Sequence, residues 1–184
     1  MKFKILSKLC AIALLTGILI SPVCARVYMQ KEEALKQAFP AADNIDAVNL
    51  YLSEKEIEQV YHASGVRPDS ALYTFYVGSK NGSVTGYAAI EAATVRTLPE
   101  TVIVVLEPDG SIRYAEILAF FEPAEYKPSE RWMDQFPGVV LSRNLRVGGE
   151  IHGISGATLS AHAITRQVRK SAAMLKIYLK GNIQ

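Results

Sequence analysis

The chain has 184 residues, 49% of them apolar, and a formal net charge of +2. That is long and apolar enough for a packed domain, which excludes a disordered chain. All 18 acidic residues follow the first 25 positions and three of the 20 basic ones lie within them, so the body of the protein is near neutral. Charge therefore gives no ground for a nucleic-acid or anionic-lipid partner.

The elements begin with a leader. Lys2, Lys4 and Lys8 precede an apolar run from Leu9 to Ile20, broken only by Thr16 and Gly17. Val23-Cys24-Ala25 then supplies the small residues a signal peptidase requires. Residues 1–25 read as a secretory signal peptide cleaved after Ala25, leaving 26–184 as one domain. An uncleaved membrane anchor is the alternative, although the run falls short of the roughly 20 residues a span needs. A lipid-modified Cys24 fits poorly behind Pro22-Val23. Cys10 and Cys24 both fall in the leader. The exported protein then has no thiol nucleophile, disulfide or cysteine metal ligand, and an extracytoplasmic location is expected.

Lys31 to Phe39 reads as a short helix ended by Pro40, and Asn49 to Leu52 as a strand. Ser53 with Glu56 forms a capping box for a helix that stops near Ser64-Gly65. Two hairpins follow. Strands over 71–77 and 84–90 flank Asn81-Gly82, and strands over 102–106 and 112–118 flank Asp109-Gly110. Thr101 to Leu106 is apolar on both faces, the mark of a central, covered strand.

Beyond Phe121 the pattern changes. Glu122 to Pro128 reads as a loop, and Ser129 to Phe136 as one or two helical turns. Val139 to Leu145 reads as a short strand or extended segment. A long amphipathic helix runs from Thr158 to Lys180, with Gly181 as its C′ stop. The fold class is α+β: an antiparallel sheet of hairpins packed by helices, closed by the long helix.

The turn Ser155-Gly156-Ala157-Thr158 opens that helix. If Ser155 is the N-cap, Thr158 stands at N3. Unpaired N–H groups and the helix dipole make such a terminus an anion site, and the small Gly156 and Ala157 let a bulky anion approach the backbone. An ordinary capped helix start with no ligand is the plain alternative.

Around this turn the chain resembles the FMN-binding domain family, whose members include flavinylated subunits of ion-pumping quinone reductases. The resemblance runs through Ile154-Ser155-Gly156-Ala157-Thr158-Leu159-Ser160, the 80–90 segment with Gly82 and Gly86-Tyr87, the Asp109-Gly110 hairpin and the aromatic-rich Glu122 to Gly138 stretch. It implies FMN joined by its phosphate to Thr158 through a flavin transferase, with membrane or periplasmic redox proteins as partners. Ser155 and the amides of Gly156, Ala157 and Thr158 are the implied phosphate holders, and Glu122 a residue near the flavin. Trp132, Phe136, Phe121 and Tyr126 are candidate walls for the ring, against an ordinary core role. One departure stands out: His152 occupies the position, three before Ser155, where the family usually has an acidic residue. It is either a solvated loop histidine or a group beside the phosphate, and it speaks for reversible rather than covalent binding.

Three readings follow. The first is an electron carrier holding FMN covalently, with no acid or base of its own. The second is a sensory or accessory module that binds FMN or another phosphate ligand reversibly. The third, a flavin-dependent reductase, lacks support: Gly148-Gly149 does not open a dinucleotide fingerprint, and neither Ser155 nor Thr158 lies in a G-x-S-x-G elbow. His62 and His162 have no partners at ligand spacing, so no metal is expected.

Overall fold

A computed structural model describes residues 26–182; the signal-peptide reading, with both cysteines, lies outside the described residues. The elements are β1 (Arg26–Val27), α1 (Lys31–Ala38), β2 (Asn44–Tyr51), α2 (Glu54–Ser64), β3 (Leu72–Lys80), β4 (Ser83–Thr94), β5 (Pro99–Leu106), β6 (Ile112–Phe120), α3 (Glu130–Met133) and α4 (Thr158–Asn182), with a 3₁₀ turn at Ala124–Tyr126. The strands form one antiparallel sheet in the order β1-β6-β5-β4-β3-β2. This is the expected α+β class.

Local chemistry accounts for the hairpins. Lys80 pairs with Ser83, so Asn81-Gly82 is a two-residue turn. Both residues have positive φ, 50° and 77°, the signature of a type I′ turn that matches strand twist. Ser53 caps α2 reciprocally with Glu56: the serine backbone N–H donates to the carboxylate at 2.7 Å, and the Glu56 N–H donates to the hydroxyl.

The sheet is covered on both faces. Val102, Val104 and Leu106 of β5 face the larger core with α2, α3 and α4, while Ile103 and Val105 face a smaller core under α1. All five are fully buried, as the two-sided apolar run predicts. Phe39, just past α1, lies against the backbone of Gly78, where an added Cβ would come 2.4 Å from the ring. No side chain larger than hydrogen fits there while the ring stays in place.

Four expectations need correction. Strand β2 starts at Asn44, not Asn49, because pairing with β3 extends it to Ser79. β1, unforeseen, adds to the sheet edge by pairing Arg26 with Phe120. Residues 139–145 make no strand; a turn covers 143–144, and Val139 is tied to Ile112 by a single backbone bond of 2.9 Å. Gly181 lies inside α4, which continues to Asn182. A glycine permits a left-handed stop but does not impose one.

Candidate functional site

The site assembles where the start of α4 meets the β4–β5 turn and the 3₁₀ turn. At Gly156 the backbone turns with φ +85°, and nothing lies within 4 Å of the place a side chain would occupy. The Ala157 N–H donates to the Ile154 carbonyl at 3.3 Å, and the first intrahelical bond runs from the Ala161 N–H to the Ala157 carbonyl. Ala157, not Ser155, is therefore the N-cap residue, and Thr158 is the first helical residue rather than the third. The positive φ at Gly156 sets Ser155 outside the helix, exposed and with no side-chain hydrogen bond among the described residues.

Alanine offers no capping oxygen. The N–H groups of Thr158, Leu159 and Ser160 consequently have no partner among the described residues, and they sit at the positive end of a 25-residue helix. The exposed Thr158 hydroxyl donates to the Ile154 carbonyl at 3.1 Å. Two residues on, the buried Ser160 hydroxyl donates to the Tyr126 carbonyl at 2.6 Å, fixing the helix start to the 3₁₀ turn.

Glu122 builds the opposite wall. Its buried carboxylate accepts three backbone N–H groups on one oxygen, from Arg96 at 3.0 Å, Thr97 at 2.6 Å and Leu98 at 2.8 Å. Those amides, that of Thr97 foremost, hold the carboxyl below its usual range. Between the walls lies a cavity of about 160 Å³ lined by Val95, Arg96, Glu122, Tyr126 and residues 156–160.

The expected residues divide in two. Gly156, Ala157, Thr158, Glu122 and Tyr126 line one cavity. Trp132, Phe136, Phe121, His152, Ile154 and Ser155 do not. Trp132 and Phe136 are buried in the main core, edge to face at 5.4 Å, so they are not ring walls at this cavity. Trp132 instead positions the approach to the turn: its indole N–H donates to the His152 carbonyl at 2.7 Å, while the His152 N–H donates to Gln135 at 2.7 Å. The His152 imidazole itself is exposed. The Ile154 carbonyl accepts both bonds of the turn.

Trp132→Phe tests that positioning. The donor goes, and the smaller ring also leaves a gap in the core that Trp132 shares with Phe136, so the expected loss is about 3 kcal/mol. Faster amide exchange at 151–153, read by hydrogen exchange, should accompany it. Unchanged exchange there would show that the indole bond does not hold the loop.

Sequence reading missed Val95 and Arg96, and took Leu159 only as part of the turn's motif. Arg96 and Leu159 are exposed at the cavity, and the arginine brings a cation to the helix start. No motif marks Val95 or Arg96, because the β4–β5 turn and α4 meet only through the fold. Neither the protein-family models nor the curated proteins match this chain.

Proposed function

We propose that the protein is an extracytoplasmic carrier of FMN for electron transfer, with the cofactor joined by a phosphoester to Thr158. The observation that carries this reading is the exposed Thr158 hydroxyl standing beside three unpaired amides and Arg96, at the mouth of one cavity. The group fits the residues present. A phosphate needs donors and positive potential, and an uncapped helix start flanked by a guanidinium offers both. The open space at Gly156 admits the bulk of the ester, and Val95, Tyr126 and Leu159 give apolar surface beside it. FMN, when bound, supplies the redox chemistry. The chain's own residues bind and orient: the amides of 158–160 hold the phosphate, Arg96 balances its charge, and Glu122 keeps the Arg96 turn in place. Attachment at the Thr158 oxygen costs one hydrogen bond, that to Ile154.

A tether also suits the location. A reversibly bound cofactor would be lost wherever its free concentration is low, and a covalent bond removes that dependence. The partners of this reading are a flavin transferase and membrane or periplasmic redox proteins. The exposed His152 favours the second reading, reversible FMN binding in a sensory or accessory role, because it stands where the resembling family carries an acid.

Intact mass of the exported protein, co-expressed with a flavin transferase, separates the two. The expected result is a gain of one FMN less water, abolished in Thr158→Ala and retained in Ser155→Ala. An unmodified wild type beside an active control target would overturn covalent attachment, and titration with free FMN would then decide for or against the reversible reading.

A further inference from the structure

A second cavity, of about 400 Å³, lies along the flank of α4 and is lined by Thr94, Ala163, Arg166, Gln167 and Lys170 among others. Its lining residues are chain neighbours of those of the first. Thr94 lines one and Val95 the other; Leu159 lines one and Ala163, a helical turn later, lines the other. Leu159, Ala163, Arg166 and Lys170 recur at i, i+4, i+7 and i+11, so they form one stripe of α4 running from the first cavity into the second.

Gln167 is the unexplained group. It is 3% exposed, and neither its amide nitrogen nor its amide oxygen has a hydrogen-bond partner among the described residues. A buried carboxamide without partners is costly, and native proteins rarely leave both ends bare. The cations around it differ in their commitments. Lys170 is bound to Glu91 at 2.8 Å, with the largely exposed Asp69 at 3.9 Å. Arg67 pairs with Glu58. Arg166 stands in no ion pair among the described residues.

We propose that this cavity receives the pyrimidinedione end of the flavin ring, with the Gln167 carboxamide pairing its N–H and C=O edge and Arg166 flanking it. This rests on the reading that FMN is held at Thr158. The chemistry is complementary. A carboxamide presents one donor face and one acceptor, and the pyrimidinedione edge presents the matching N–H and carbonyls. Leu159 and Gln167 are about 12 Å apart along the helix axis at 1.5 Å per residue, so a ligand anchored at the first cavity must be elongated to reach the second. FMN, a ring system on a ribityl phosphate, has that form. A cation beside the pyrimidinedione favours electron uptake, which makes Arg166 a positioning and tuning residue rather than a catalytic one.

The test uses flavin-loaded protein whose attachment has been verified by mass. Arg166→Gln, at an exposed position, is expected to move the midpoint potential of the loaded protein to more negative values. Gln167→Leu is expected to shift the visible flavin absorption band and raise flavin fluorescence as the ring loses its berth. Gln167→Glu, which keeps the side chain's shape, is expected to lower the potential as Arg166→Gln does. Lys180→Gln, at the far end of α4, serves as control and should move neither. Loaded protein whose potential and spectrum ignore Arg166 and Gln167 substitutions would overturn the berth while leaving the carrier reading intact. A chain that takes up FMN neither covalently nor reversibly would overturn both.

Discussion

Glu100→Leu is expected to stabilise the protein by on the order of 3 kcal/mol at pH 7. Glu100 is fully buried on β5, paired across the sheet with Ala93 and Phe120, and neither carboxylate oxygen has a hydrogen-bond partner among the described residues. Burial raises its pKa from 4.5 to about 8. The sign follows from the proton balance. Between those two values the unfolded chain has lost the proton that the folded chain keeps, so stability is complete below about pH 4.5 and declines as pH rises towards 8. Leucine removes both the titration and the unsatisfied oxygens. Urea unfolding at pH 5, 7 and 8.5 should show a declining wild type and a flat variant. A wild type equally stable at pH 5 and 8.5 would mean that the carboxylate is solvated or paired in solution.

Glu122→Ala is the change expected to do most damage to the candidate site. One carboxylate oxygen organises the whole Arg96–Leu98 turn, and charge-assisted bonds of this kind contribute more than neutral ones. Arg96 and Thr97 are exposed, so water replaces part of what is lost, and the net cost should be about 2 kcal/mol. The functional loss should be larger, because the Arg96 wall of the cavity goes with the turn. Under the proposed function, FMN loading under limiting transferase should fall at least tenfold, measured by intact mass. Glu122→Gln keeps an acceptor and should retain most of the stability. It should also lose part of the wild type's acid sensitivity. The depressed carboxyl of Glu122 contributes stability that is present above the ordinary carboxylate range and is lost as pH falls through its lower folded value. Loading unaffected by Glu122→Ala would detach this turn from cofactor attachment.

What could be read in advance follows the range of the interaction. The Ser53–Glu56 box, the Asn81-Gly82 turn and the covered run of β5 are set by residues within a few positions of each other, and each formed as its chemistry requires. Thr158 and its turn were legible for the same reason. The helix begins at Thr158 as read, but its N-cap is Ala157 rather than Ser155, because a single positive φ at Gly156 decides it and glycine tolerates either course. Trp132 and Phe136 show the limit more sharply. Their composition suits a ring wall or a core equally, and only the position of α3 under the 150s loop decides. Arg96 and Gln167 carry no local signal at all: each becomes notable only through the partners that the fold brings near, or fails to provide.

The indole of Trp132 has a practical consequence. It is the protein's sole tryptophan, and its N–H holds the carbonyl of the loop that leads to Thr158. Emission from this protein is therefore a single-site signal from the loop that leads into the candidate site, free of averaging over other indoles. Loosening of the loop should redden it as water reaches the nitrogen. A flavin at Thr158 should quench it, since flavin absorption overlaps indole emission. The molecule thus carries its own optical gauge of loop order and, under the proposed function, of cofactor loading, with no label to attach.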